Sequence, residues 1–238
     1  MKYYIKIKKY ILILIALLCF AFPIIAQEEG PSEEELAKAN NPLADIKAFN
    51  IQYYFRPALN GVEDGMANTN WYRVALPTGK ILWRLSAPLE TRSISTYTES
   101  GFGDLDLFAA YLAVTKPKTT FGIGPSASFP TASKDALGSG KYTLGAAAVV
   151  FRMPNPQFQY GALLIWRTSI AGDSERDKAN LLALQPFYFW QLGGGTYLRG
   201  APIWAFNLES GDYNVPLALG IGQGQPNLQI YTAVNMQF

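Results

Sequence analysis

The chain has 238 residues, 49% hydrophobic and 16% charged, with 14 Tyr, 14 Phe and 5 Trp, no histidine and one cysteine, Cys19. That length suits one domain with a large apolar surface. The missing histidine excludes Ser-His-Asp hydrolysis, and a lone cysteine excludes an internal disulfide. The 20 basic and 18 acidic residues give a net charge of +2. Four of the lysines fall in the first 26 residues, so the remainder carries −2 and argues for no nucleic-acid partner.

Residues 1–26 read as a secretory signal. Lys2, Lys6, Lys8 and Lys9 form its basic part, Ile11 to Phe22 its apolar core, and cleavage falls near Ala26. The core is too short to favour a spanning helix. Bulky Leu18 disfavours a lipoprotein made through Cys19. Residues 27–46 are polar and acidic. Ser32 and Glu35 have capping-box spacing, which predicts a short helix to about Ala39, ended by Pro42.

From residue 47 to 238 the chain alternates with the period of a strand, placing successive side chains on opposite faces. Ala48–Arg56 sets Asn50, Gln52, Tyr54 and Arg56 against Phe49, Ile51, Tyr53 and Phe55. Asn70–Leu76 sets Arg73 against Tyr72 and Val74; Ile81–Leu89 sets Arg84 and Ser86 against Trp83 and Leu85. Asp104–Ala113 sets Asp104 and Asp106 against Leu105 and Leu107, and Thr120–Phe129 sets Ser126 and Ser128 against Phe121 and Ile123. Lys141–Phe151, Tyr160–Ile170, Leu181–Gln191, Thr196–Asn207 and the weaker Val215–Ile221 follow the same rule. The closing segment Asn227–Phe238 carries Leu228, Ile230, Val234, Met236 and Phe238 on one parity and polar residues on the other. These make eleven strand candidates.

The connections alternate in length. Tight ones fall at Pro77–Lys80, Lys116–Lys118, Pro154–Gln157 and Gly193–Gly195; long ones at Ala58–Thr69, Thr91–Gly103, Thr131–Gly140 and Ala171–Ala179. A soluble sandwich also alternates along its strands. Short turns at one end and long loops at the other are the habit of bacterial outer-membrane barrels. The predicted fold is therefore all-β: an antiparallel up-and-down outer-membrane β-barrel of about 10–12 strands, preceded by the short helix. The predicted location is the outer membrane of a Gram-negative bacterium.

Several motifs in this order resemble one outer-membrane family. They are Asn41–Ile46, Ser100–Asp104, Gly122–Pro125, Asp135–Lys141, Ala171–Asp173 and Leu184–Phe187. The family is that of transporters of the "MetA-pathway of phenol degradation" type, sometimes misnamed neuromedin U. The resemblance implies a passive channel for small, aromatic or hydrophobic solutes. The family pattern suggests twelve strands, one more than counted here, and the missing one would fall at Gly222–Pro226.

The polar parity collects Arg56, Arg73, Arg84, Arg167 and Arg199, together with Asp104 and Asp106. A guanidinium facing lipid costs about 2–4 kcal/mol at mid-membrane, so all five arginines are expected to point inward. Trp83, Trp166, Trp190 and Trp204 are expected to face lipid, and Trp71, sharing parity with Arg73, to point inward or to the rim. Such a wall serves either a solute pathway or a salt-bridged filled lumen with a structural or binding role. Catalysis by Asp104 and Asp106 is the least supported reading. No cofactor is implied. The carboxylates at Asp173, Glu175 and Asp177 suit a solvated loop better than a cation site. The expected partners are outer-membrane lipid, a small solute and, through the strand ending in Phe238, the barrel assembly machinery.

Overall fold

The computed structural model describes residues 41–43, 45, 47–56, 59, 65–94, 97–225 and 228–236, with side chains through residue 222. The signal segment, the expected helix near residues 32–39 and the terminal Phe238 lie outside the described residues. What is described is all-β and antiparallel, with one short 3-10 turn at Asp135–Leu137.

Fourteen strands make one sheet: β1 (Ala48–Arg56), β2 (Met66–Thr78), β3 (Ile81–Ile94), β4 (Tyr97–Phe102), β5 (Leu105–Lys116), β6 (Thr119–Phe129), β7 (Lys141–Arg152), β8 (Phe158–Gly172), β9 (Asn180–Gly193), β10 (Thr196–Gly200), β11 (Trp204–Asn207), β12 (Tyr213–Asn214), β13 (Leu217–Gln225) and β14 (Leu228–Met236). The main path is β1-β2-β3-β5-β6-β7-β8-β9-β10-β13-β14, a simple meander. Strands β2, β3 and β5 to β9 run 11 to 15 residues, long enough to cross a bilayer when tilted.

The structure corrects the sequence reading in three places. The Thr91–Gly103 loop is instead a hairpin: β4 pairs with the upper part of β3, from Leu89↔Phe102 to Ile94↔Tyr97. The single strand expected over Thr196–Asn207 is broken. Both β10 and β11 lie along β9, but Ala201, Pro202 and Ile203 between them belong to neither. Pro202 has no N–H to give to a ladder. Finally, Gly222–Gln225 is not a gap: β13 runs on through Gln225 and pairs with β14 from Leu217↔Met236 to Gln225↔Leu228.

The main path thus holds eleven strands, each antiparallel to the next. An odd number leaves β1 and β14 running in the same direction. These two come within 8 Å at their Cα atoms, although no ladder joins them among the described residues.

The connections sort by end. At one end lie tight turns, including Gly194-Gly195 between β9 and β10, with φ of 57° and 78°. Positive φ at both central residues is what a two-residue hairpin with the right twist needs. At the other end lie the connections spanning residues 130–140 and 173–179.

The two faces differ as alternation requires. Phe49, Ile51, Leu76, Trp83, Leu85, Ile123, Leu144, Leu164, Trp166, Trp190, Leu217 and Leu219 form an exposed apolar outer face. Aromatic groups mark both of its ends. Phe158 packs on Tyr160 and Trp190 near the tight turns, with centroids 5.7 and 6.2 Å apart. Phe129 packs on Tyr142 at 6.5 Å near the long loops. Trp83 and Trp166 turn their indole N–H groups to Thr78 Oγ1 and Asn180 Oδ1 at 2.9 and 3.0 Å. Trp204 is half-buried and donates to the Pro216 carbonyl at 3.1 Å.

Candidate functional site: the inner wall

The sheet curls enough for side chains three strands apart to meet. Arg167 on β8 is paired with Asp106 on β5, a span of about 14 Å on a flat sheet at normal strand spacing. Arg167 also donates to the Ala127 carbonyl on β6 at 3.3 Å. The row between them is kept low. Ser126 and Gly145 stand in the cross-strand row that runs from Phe108 to Arg167. A Cβ on Gly145 would come 1.9 Å from the Trp166 carbonyl oxygen, so no larger residue fits there without moving the β7–β8 pairing.

The inner wall has two parts. Towards the long loops it is polar. Arg56 donates to Thr69 Oγ1 at 2.9 Å. Arg73, only 7% exposed, donates to Gln52 Oε1 and lies over the Trp71 ring at 4.7 Å. Trp71 is thus on the inner side, sharing a wall with Pro88, Glu90, Arg92, Asp104 and Asp106 around a mouth cavity of about 260 Å³. Lys141 is buried and donates to the Asp173 carbonyl.

Towards the tight turns the wall is apolar and packed. Leu82, Phe108, Ala110, Ala147, Val149, Phe151, Leu163, Phe187, Phe189 and Tyr197 form one buried cluster. Phe151 stacks on Phe187 at 6.5 Å. Phe187 meets Phe189 at 6.3 Å, and Phe189 meets Tyr197 at 6.0 Å, both edge-on. Tyr197 and Gln159 have no exposed surface at all. Arg199, on this part of the wall, lies over the Phe189 ring at 5.0 Å.

Arg84 stands where the two parts meet. Its cross-strand partners are Ala75 and Phe108, and its guanidinium lies 4.4 Å above the Phe108 ring. No hydrogen bond or ion pair among the described residues reaches it, and its Nε is buried.

The two aspartates named from sequence do separate jobs. Asp106 is a wall residue neutralised by Arg167. Asp104 sits in the link between β4 and β5 and holds the connection above it. It accepts from the N–H groups of Ala132 and Ser139 at 3.2 and 2.7 Å and from the Ser139 hydroxyl at 2.8 Å. Arg92 adds a bond to the Ala136 carbonyl at 2.8 Å, and Arg176 reaches the carbonyls of Asp135 and Gly138 at 2.5 and 2.7 Å. These bonds fold residues 132–139 over the mouth and bury Leu137. The sequence reading missed this role for Arg92 and Arg176. Both were visible only as charges near loops, and their partners are backbone carbonyls about 40 residues away.

Among the described residues no group of three His, Cys, Asp or Glu side chains is placed to hold a metal ion. No family model, curated protein or solved structure matches the chain.

Proposed function

We propose that the chain is an outer-membrane β-barrel whose interior is a binding cup for small solutes, open towards the long loops and stopped at the tight-turn end. The observation that carries this reading is the run of packed rings Phe151, Phe187, Phe189 and Tyr197 on the inner wall. Barrels of about eight strands fill with side chains and those of about sixteen or more hold channels; eleven strands lie between, so the packed interior rather than the strand number favours the stopped reading. The apolar outer face with aromatic groups at both ends suits lipid; a soluble protein rarely leaves so large an apolar patch uncovered. The resemblance to the outer-membrane transporter family agrees with this setting.

A passive channel is the second reading, favoured by the cavity at the mouth and the arginine-rich upper wall. Two measurements separate the readings. Fractionation of expressing cells should place the mature chain in the outer membrane. Purified protein inserted into planar bilayers should then give no stepwise conductance. Stepwise conductance from the unaltered chain would overturn the stopped cup and leave the channel.

A further inference from the structure

Three acids of the upper wall are engaged by partners of their own. Glu90 is paired with Arg92 at 3.2 Å, Asp106 with Arg167, and Asp104 with three donors of the overlying loop. Arg56 and Arg73 donate to neutral oxygens, of Thr69 and Gln52, and Arg84 lies over the face of Phe108 with no hydrogen bond reaching it among the described residues. None of these three guanidiniums has a carboxylate at ion-pair distance among the described residues; Glu90 and Asp106 act on Arg56 and Arg84 only at longer range. Arg84 and Arg73 are close: Arg73 is in register with Ser86, two residues along β3 from Arg84 on the same face. Such groups are costly to leave without an anion, and a guanidinium is shaped to receive two carboxylate oxygens.

Position narrows the anion. On the long-loop side of Arg84 stand Ser86 and Asp106; on the other side stand Leu82 and Ala110, at the top of the buried apolar cluster. An anion held here has a charged wall on one side and an apolar one on the other. A fully hydrated ion gains nothing from the second. We propose that Arg84 and Arg73 seat the carboxylate of a small amphipathic organic acid, with its apolar body directed towards Leu82 and Phe108. This deepens the binding-cup reading and names its ligand class.

The test uses the full mature chain in non-ionic detergent, titrated calorimetrically with hexanoate, 1-hexanol and sulfate. Hexanoate should bind at least about tenfold more tightly than 1-hexanol or sulfate. Arg84→Gln should weaken hexanoate about tenfold or more, because a hydrogen bond to a charged group is lost, and leave 1-hexanol unchanged. Arg84→Lys should fall between, keeping charge without the fork. Strand circular dichroism and heat-modifiable gel mobility report folding; if Arg84→Gln does not fold, Arg73→Gln carries the same comparison. Equal binding of hexanol would overturn the carboxylate seat. Sulfate matching hexanoate would reduce it to charge alone and overturn the amphipathic ligand. Unchanged hexanoate binding by Arg84→Gln would remove Arg84 from it. The titration needs no membrane, so the site can stand while the barrel reading falls at fractionation, or the reverse.

Discussion

The two parts of the inner wall are built by the same strands at the same parity, yet they are held together differently. On β7 the inward residues run from Lys141 and Thr143 through Gly145 to Ala147, Val149 and Phe151. On β8 they run from Arg167 down to Leu163 and Gln159. The upper part rests on directional contacts between charged or polar groups, each needing its own partner. The lower part rests on non-directional burial and ring packing. Both are interior, and only the lower one resembles a protein core. In the proposed binding cup, a wall that changes character along its length would seat a polar head above and an apolar body below.

The largest expected effect comes from breaking the lower part. Phe187→Ala removes a ring that touches both Phe151 and Phe189. Deleting a buried phenylalanine side chain costs about 3–5 kcal/mol, which should appear as a lowered midpoint in urea unfolding from lipid vesicles. If this belt stops the lumen, the same variant should also give conductance in planar bilayers where the unaltered chain is silent. A destabilised variant that stays silent would keep the packing role and refute the stopper.

Breaking the upper part should cost less. Arg167 and Asp106 retain 16% and 28% side-chain exposure, so water softens the loss of either partner. Asp106→Asn leaves Arg167 without its carboxylate and should lower stability by about 2 kcal/mol, below the 3–5 kcal/mol typical of a fully buried pair. Asp106→Asn combined with Arg167→Gln should recover part of that loss, since no uncompensated charge remains. Urea unfolding of the two single variants and the double one measures the coupling. Strict additivity would show that the contact contributes nothing of its own.

This contrast also marks what the residues disclose. Alternation reports the side a residue faces, because a one-residue slip would reverse a whole strand. The inward Arg73 and outward Trp83 and Trp166 follow from that alone. Parity does not report depth. Phe151 shares parity with Lys141, and Phe187 with Gln185, so the aromatic belt was hidden among residues read as a polar wall. It appears only once strand lengths and registers bring those rings to one level. The β3–β4 hairpin was missed for a different reason. Ser93–Ser100 offers only Ile94 and Tyr97 among otherwise polar residues, too few apolar positions to read as the ends of two paired strands. The break at Ala201–Ile203 had a visible cause in Pro202, but apolar neighbours on both sides carried the alternation across it.

The smallest expected effect concerns the loop above the upper part. Asp104 holds Ala132 and Ser139 from below, and Lys134 lies exposed between them. Asp104→Ala deletes all three of these bonds at once but leaves the Arg92 and Arg176 contacts to the Ala136, Asp135 and Gly138 carbonyls in place. The loop should therefore loosen without the barrel unfolding. Cleavage at Lys134 requires local opening, so its rate follows the population of the open loop. Losing hydrogen bonds to a charged acceptor, each about 1.5–3 kcal/mol, partly replaced by water at this half-buried site, should raise limited trypsin cleavage after Lys134 about tenfold. The urea midpoint should move little. Asp104→Asn, which keeps one acceptor oxygen, should cleave at an intermediate rate. If Asp104→Ala cleaves no faster than the unaltered chain, the arginines alone hold the loop. If instead the urea midpoint falls as cleavage rises, Asp104 belongs to the wall rather than to the loop that covers it.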